Sequence, residues 1–191
     1  MIIGNPSGLA IESIITRAYQ RLSFRALGFL IIYVGGRCYG IRSPDSTMLA
    51  CSYDEIERRI AMRGGHTAPF ANESDAGKIA DAFRNAFYAE RQNESYFGIP
   101  LTEFAHVIQS KRIVWAPDGD EGFDDGSYVL QFDVRDRVRL IAFKSQGCGY
   151  DPATLSDVWL SGDDFYNVLQ QWHDAFEAEW ESMPKASEAR S

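Results

Sequence analysis

The sequence predicts an α+β fold: a mainly antiparallel β-sheet of hairpin and meander type, packed with about four helices, the last of them long and amphipathic. Three observations carry this. Strand-like runs come first, helical periodicity follows, then strands again and one final helix, an order that suits segregated rather than alternating elements. The two-residue links Gly35-Gly36 and Arg135-Asp136 join runs rich in β-branched and aromatic residues, as hairpin turns do. From Phe165 to Trp180 the apolar residues recur at helical spacing.

Taken in order, the chain opens with a short apolar start and a turn cluster, Gly4-Asn5-Pro6-Ser7-Gly8, before a strand from Leu9 to Ile15. Leu27 to Val34 is apolar on both faces and reads as a covered central strand. Arg37 to Arg42 resumes after Gly35-Gly36, where glycine accepts the positive φ of a tight hairpin. Thr47 to Cys51 reads as a further strand. Ser52 and Glu55 have capping-box spacing, with Tyr53, Ile56 and Ile60 on one helical face ending at Gly64-Gly65. A helix from about Ser74 to Arg91 carries Ile79, Ala80, Phe83, Ala86 and Phe87 on one side, and Pro100 opens a shorter helix. Strands at Arg112, Tyr128 and Val138–Phe143 form a meander, and Thr154 to Leu160 is a last strand. Ser161 and Asp164 can cap the final helix, whose stripe is Phe165, Val168, Leu169, Trp172, Phe176 and Trp180; Met183-Pro184 stops it. That stripe is expected to pack on the protein's own sheet. One domain over residues 1–184 and a disordered tail from 185 to 191 are expected.

The 191 residues are 45% hydrophobic and 24% charged, enough to bury a core without disulfides or metal. No apolar run approaches the roughly 20 residues of a membrane span, and no basic-then-apolar leader opens the chain. A cytoplasmic protein is expected. Cys38, Cys51 and Cys148 are odd in number and widely spaced; two lie in apolar, strand-like runs that suggest buried thiols.

The net charge is −8, and its distribution is uneven. From Ser145 to Pro184 there is no Lys or Arg, while Asp151, Asp157, Asp163, Asp164, Asp174, Glu177, Glu179 and Glu181 equal the whole net charge. A second concentration sits between the strands at Ile113-Val114-Trp115 and Tyr128-Val129-Leu130-Gln131-Phe132. This loop, Ala116 to Ser127, holds Asp118, Asp120, Glu121, Asp124 and Asp125 with no base among them. Within a Debye length of about 8 Å these charges repel one another, so the fold does not call for them. Nucleic acid and anionic membranes, which need a basic footprint, are disfavoured, and a basic protein partner is favoured.

Motifs for chemistry are absent: no HExxH, no Cys/His cluster, no GxSxG elbow, no Walker A loop and no GxGxxG. His66, His106 and His173 are scattered and read as surface or helix-face residues. Gly147-Cys148-Gly149 presents a thiol without a base nearby in sequence. Asp118-Gly119-Asp120 invites a calcium reading, but an EF-hand loop from Asp118 needs an oxygen ligand fifth, Gly sixth and Glu twelfth. The sequence has Gly122, Phe123 and Val129 there. The loop thus remains open between a solvated connection, a partner surface, and an irregular metal or catalytic site.

Two stretches bear a family likeness. Met1-Ile2-Ile3-Gly4-Asn5-Pro6 with Leu9-Ala10-Ile11, and Trp115-Ala116-Pro117-Asp118-Gly119-Asp120-Glu121-Gly122-Phe123-Asp124-Asp125-Gly126-Ser127, resemble the immunity protein 42 family of polymorphic toxin systems. The likeness runs from Gly4 to the Trp-rich last helix. It implies a bacterial, non-enzymatic antitoxin that binds and neutralises a cognate polymorphic or contact-dependent toxin, with no catalytic residues and no cofactor. Many such toxins are basic nucleases. With the charge reading, it makes Asp118, Asp120, Glu121, Asp124, Asp125, Asp163, Asp174 and Glu177 the expected toxin-binding residues. The competing readings are a small metal-dependent hydrolase using the 118–125 carboxylates, and an adaptor for another basic protein. Oligomeric state is left open.

Overall fold

A computed structural model gives the fold and describes residues 1–117 and 121–186. In chain order the elements are β1 (Ile2–Gly4), β2 (Leu9–Tyr19), β3 (Ala26–Val34), β4 (Arg37–Tyr39), β5 (Thr47–Met48), α1 (Ala50–Ala61), α2 (Ala76–Tyr88), β6 (Ser95–Tyr96) and β7 (Ile99–Pro100). There follow α3 (Leu101–Ser110), β8 (Val114–Ala116), β9 (Ser127–Val134), β10 (Arg137–Gln146), β11 (Gly149–Tyr150), β12 (Ser156–Ser161), α4 (Gly162–Ser182) and β13 (Lys185–Ala186). The α+β expectation is met: every strand pair is antiparallel except β13 with β2.

Two sheets carry the architecture. The first runs β1-β2-β3-β4, with β13 beside β2 and β5 beside β3; the second runs β11-β10-β9-β8, with β12 also beside β10. The alternation of side chains along β9 and β10 gives the second sheet two buried faces. Val129, Val138, Leu140 and Ala142 face a core shared with α1, α4 and the first sheet, where Leu9, Ile11, Leu30, Ile32 and Val34 are buried. Leu130, Phe132, Ile141 and Phe143 face the opposite way, against α2 and α3 through Ile79, Phe83, Phe104 and Ile108. The continuous apolar character of these strands follows from this double covering.

The last helix lies across both sheets as its stripe predicts. Phe165, Leu169, Trp172 and Phe176 are fully buried, and Ser161 Oγ caps the helix by accepting from the Asp164 N–H at 3.0 Å. Trp172 Nε1–H donates to Ser13 Oγ (3.0 Å), while Trp180 Nε1–H reaches the carbonyls of Tyr19 and Arg25. The stripe is therefore consumed by the protein's own two sheets.

Several boundaries differ from the sequence reading, each for a tertiary reason. The strand expected over Thr47–Cys51 stops at Met48, and α1 starts at Ala50 with Leu49 as its cap and no side-chain capping bond. Ser52 and Glu55 are not a capping box; both are buried in the helix interior, where Glu55 meets Arg59 and Arg112. The three cysteines are exposed, the two in apolar runs included. Cys38 alternates with buried Tyr39 and so points outward from β4, and Cys51 lies on the outer side of α1. At the C-terminus, Lys185 and Ala186 pair with Ala18 and Tyr19, and Lys185 Nζ caps α4 through the Met183 carbonyl at 2.9 Å; the rest of the expected tail lies outside the described residues.

Because Trp172 is fully buried and hydrogen-bonded whereas Trp180 is only partly covered, Trp172→Ala should lower the unfolding free energy by about 3–5 kcal/mol. Trp180→Ala should cost clearly less. Urea denaturation at unchanged m-value checks the pair, and equal losses would contradict this account of the core.

Candidate interaction surface

The acidic loop leaves the second sheet at β8, where Trp115 and Ala116 are buried, through a cis Ala116–Pro117 peptide. Of the expected binding residues, Asp118 and Asp120 lie outside the described residues. The chain returns through a 3-10 turn, Glu121–Phe123, that is firmly anchored. The Phe123 ring enters the shared core, the Gly122 carbonyl accepts the Ile41 N–H at 2.6 Å, and Ser127 Oγ accepts the Gly40 N–H at 3.1 Å. Phe123 was legible as an apolar residue inside an acidic run, yet its contact with the first sheet was not.

Anchoring sorts the carboxylates. Asp125 is half-buried; its Oδ1 accepts the Ser127 N–H (3.1 Å) and its Oδ2 pairs with Lys144 Nζ at 2.5 Å. Glu121 and Asp124 are exposed and make no ion pair among the described residues. Among the described residues no three His, Cys, Asp or Glu side chains converge as a metal site. One loop acid is thus neutralised by the sheet beneath it, and two are presented to solvent.

The C-terminal acids do not join this patch. Lys144 pairs with Ser127 at one end of the β9–β10 hairpin, and Arg137 with Val134 at the other. Seven residue steps at about 3.4 Å put those ends roughly 24 Å apart. Asp125 sits at the first end. Asp163 sits at the second, beside Gly162, whose N–H bonds to the Asp136 carbonyl, and it is paired with Arg63. Asp174 is exposed and accepts from Gln170 Nε2 (2.8 Å), and it lies 3.1 Å from His173 Nδ1. The His173 contact, then Gln170, hold its carboxyl below the usual carboxylate range. Glu177 flanks Tyr53, whose hydroxyl is pushed up to about 12 by burial first and then by Glu177, with Glu57 adding to the effect.

Helix α1 touches both α4 and β8. Its Tyr53 stacks on His173 with ring centroids 4.5 Å apart, while Arg59 on its other side donates to the Val114 carbonyl. The exposed α1 residue Glu57 acts on Tyr53 from the same side as Glu177, a neighbourhood that sequence reading missed because it arises from helix pairing. The described acids among the expected residues therefore lie in separate places: Glu121, Asp124 and Asp125 in the loop, Asp163 at the start of α4, and Asp174 and Glu177 further along α4, where the Arg25 guanidinium also stands 3.7 Å from the Tyr53 ring.

Beneath α1 lies a buried polar cluster that no motif announced. Arg59, fully buried, pairs with Glu55 at 3.0 Å and donates to Gln131 Oε1 at 2.8 Å. Asp133 accepts from the His66 N–H (3.0 Å), the Tyr166 hydroxyl (2.9 Å) and Gln131 Nε2 (3.1 Å). His66, expected as a surface or helix-face residue, is fully buried, with Nδ1 against the Lys111 carbonyl at 2.9 Å. That contact makes Nδ1 the protonated nitrogen of the neutral ring, and Nε2 has no partner among the described residues. Burial first, and Arg59 second, push the His66 pKa down.

With this geometry in place, comparison with known proteins defines the class. The fold is similar to the crystal structure of CdiI from Burkholderia dolosa AUO158, with a TM-score of 0.57 and 17% identity, covering 92% of this chain and 99% of that one. The family described as Immunity protein 42 matches residues 1–175, and the chain belongs to it, which gives it a toxin-immunity role. No curated protein matches the sequence. Among the described residues no helix is long and apolar enough to cross a membrane.

The lowered His66 pKa fixes the sign of a pH dependence. Above about pH 6.5 the ring is neutral both folded and unfolded; below it the unfolded chain takes up the proton that the folded chain resists, so stability falls with falling pH. His66→Asn, whose amide can still donate to Lys111, should flatten stability between pH 7 and 5. An unchanged slope in chemical denaturation across that window would show that His66 is not its source.

Proposed function

We propose that this immunity protein acts in the cytoplasm by binding a cognate toxin, a basic nuclease by charge preference, through its acidic surface, and neutralises it by occlusion without chemistry of its own. Family membership supports the role, and the single observation that carries the mode is the loop. Glu121 and Asp124 are held out in solvent on a turn whose Phe123 is locked into the core. A carboxylate that the fold does not use, on a base that does not move, is pre-organised for a cation on a partner.

Asp118 and Asp120 belong to the same proposed contact by sequence, and Asp125 supports it through Lys144. Asp174 and Glu177 form a separate contact area in this reading; Asp163, paired to Arg63, contributes least. A complementary field chiefly accelerates encounter, which an antidote needs.

Co-expression with the toxin encoded beside this chain should restore growth, and the two should co-purify; failure of both would sink the proposal. In stopped-flow mixing, Glu121→Lys with Asp124→Lys should slow association about tenfold and flatten its dependence on salt. The same reversal at Asp174 and Glu177 measures the α4 acids, and an effect there alone would move the contact from the loop to that helix.

A further inference from the structure

The strands at the edges of the two large sheets are two or three residues long, with one exception. That exception is β12, six residues long, which pairs with β10 on one side and with no strand among the described residues on the other. The neighbouring hairpin sets the direction of its backbone groups. Val134 and Arg137 close a two-residue turn and so exchange both hydrogen bonds; odd-numbered residues of β10 therefore bond toward β9, and even-numbered ones toward β12. The Asp136 carbonyl, accepting the Gly162 N–H, and the Lys144 N–H, donating to Thr154 Oγ1, obey that parity. Opposite Val138, Leu140 and Ala142 stand Leu160, Val158 and Ser156, which bond inward. The N–H and C=O of Asp157 and Trp159, and the N–H of Ser161, point out of the sheet edge. Proteins blunt such edges with proline, lysine, a bulge or a covering segment. β12 has neither proline nor lysine, its register with β10 is unbroken, and its one charge, Asp157, is taken up by Arg139 at 2.8 Å. Trp159 is half-buried, with the Arg137 and Arg139 guanidinium groups 4.9 and 5.2 Å from its ring.

We propose that this edge is a self-association surface, and that its occupant is β12 of a second copy of this chain, paired antiparallel across a twofold axis at Trp159. The strand complements itself in that register. With Trp159 opposite Trp159, Asp157 meets Ser161 and Val158 meets Leu160 on both sides of the axis. The outward groups of Asp157, Trp159 and Ser161 then face one another, carboxylate meets hydroxyl, and apolar residues meet apolar ones. Neighbouring registers are poorer. Centring on Asp157 opposes two carboxylates. Pairing Asp157 with Trp159 brings Ser161 to Leu155, whose carbonyl already accepts from Arg37 Nη1 (2.6 Å) and whose N–H bonds to the Pro152 carbonyl. The pairing joins two second sheets into one of eight strands, running β8-β9-β10-β12 and then the reverse. β8, from which the acidic loop departs, lies at each far end. The association is thus independent of the toxin contact proposed above and leaves it uncovered.

One strand pair is a small interface, so association depends on concentration. Sedimentation equilibrium of the full chain, from micromolar to millimolar, should show the average mass rising from monomer toward dimer. Trp159→Glu sets two carboxylates across the axis, while Arg137 and Arg139 can receive each within its own chain; it should weaken self-association roughly tenfold. Trp159→Lys should do the same, and the two variants mixed in equal amounts should associate again, which misfolding cannot produce. Circular dichroism verifies that each variant folds. Without any variant, hydrogen exchange at the Asp157 and Trp159 amides should be slow in concentrated and fast in dilute solution, while the Val158 amide, bonded to β10, stays slow in both. A chain that remains monomeric at millimolar concentration, or a dimer in which those two amides exchange as fast as in the monomer, overturns the proposal. So does protection of these amides only when the toxin is added, which would give the edge to a strand of the toxin. Each of these outcomes leaves the immunity reading standing.

Discussion

A single buried guanidinium, that of Arg59, holds together the parts from which the surface is built. Both faces of the second sheet are covered, so polar groups on the face toward α4 cannot reach water and must find partners inside the protein. Arg59 gathers them, joining Glu55 on its own helix to Gln131 on β9 and to the Val114 carbonyl on β8. Gln131 passes the constraint to Asp133 and Tyr166, which ties α4 into the same cluster. Replacing such a cluster by apolar groups is often neutral for stability, whereas removing one member strands the others at a cost of about 3–5 kcal/mol. What the cluster supplies is placement. β8 is three residues long and meets β9 with an irregular register, too little to hold itself. Arg59 fixes the strand from which the acidic loop departs.

Local signals made part of this legible. The Gly35-Gly36 and Arg135-Asp136 turns, the Ser161 cap and the stripe of α4 are written in neighbouring residues, and all four appear where the spacing puts them. What stayed hidden depends on residues far apart in sequence. Glu55 looked like a capping residue until Arg112, 57 residues away, engaged it. His66 looked like a surface or helix-face residue, but its N–H meets a carboxylate 67 residues downstream. The cysteines were misjudged because an apolar neighbourhood says nothing about which side of a short strand or helix a thiol occupies. Lys185 reads as the first residue of a tail, yet its ammonium finds the unpaired carbonyls at the end of α4, which carries no basic residue in its own last turn.

The same distinction applies to the candidate site. That the loop is acidic was visible; that its acids are unequal was not. Lys144 lies 19 residues from Asp125 and is brought to it only by the β9–β10 pairing, which converts one charge of the run into a structural contact. Likewise the C-terminal acids form one run in sequence and scatter in space: Asp157 on β12 turns to Arg139, Asp163 on α4 to Arg63, and Glu177 toward Tyr53. A charge count over a sequence window overstates the field that a partner meets, because it cannot subtract the carboxylates that the fold has already used.

That subtraction limits what electrostatics alone can do here. With charges screened over about 8 Å, the acids of the loop and those of α4 act as separate local fields rather than one plate. Exposed ion pairs contribute at most about 1 kcal/mol each, so a few surface carboxylates can steer a basic protein but cannot hold it for long. Durable inhibition requires desolvated apolar contact next to the steering charges, and a rigid frame to present it. The charge buried beneath α1 thus fixes β8, and with it the point at which the chain enters the acidic run that follows Pro117.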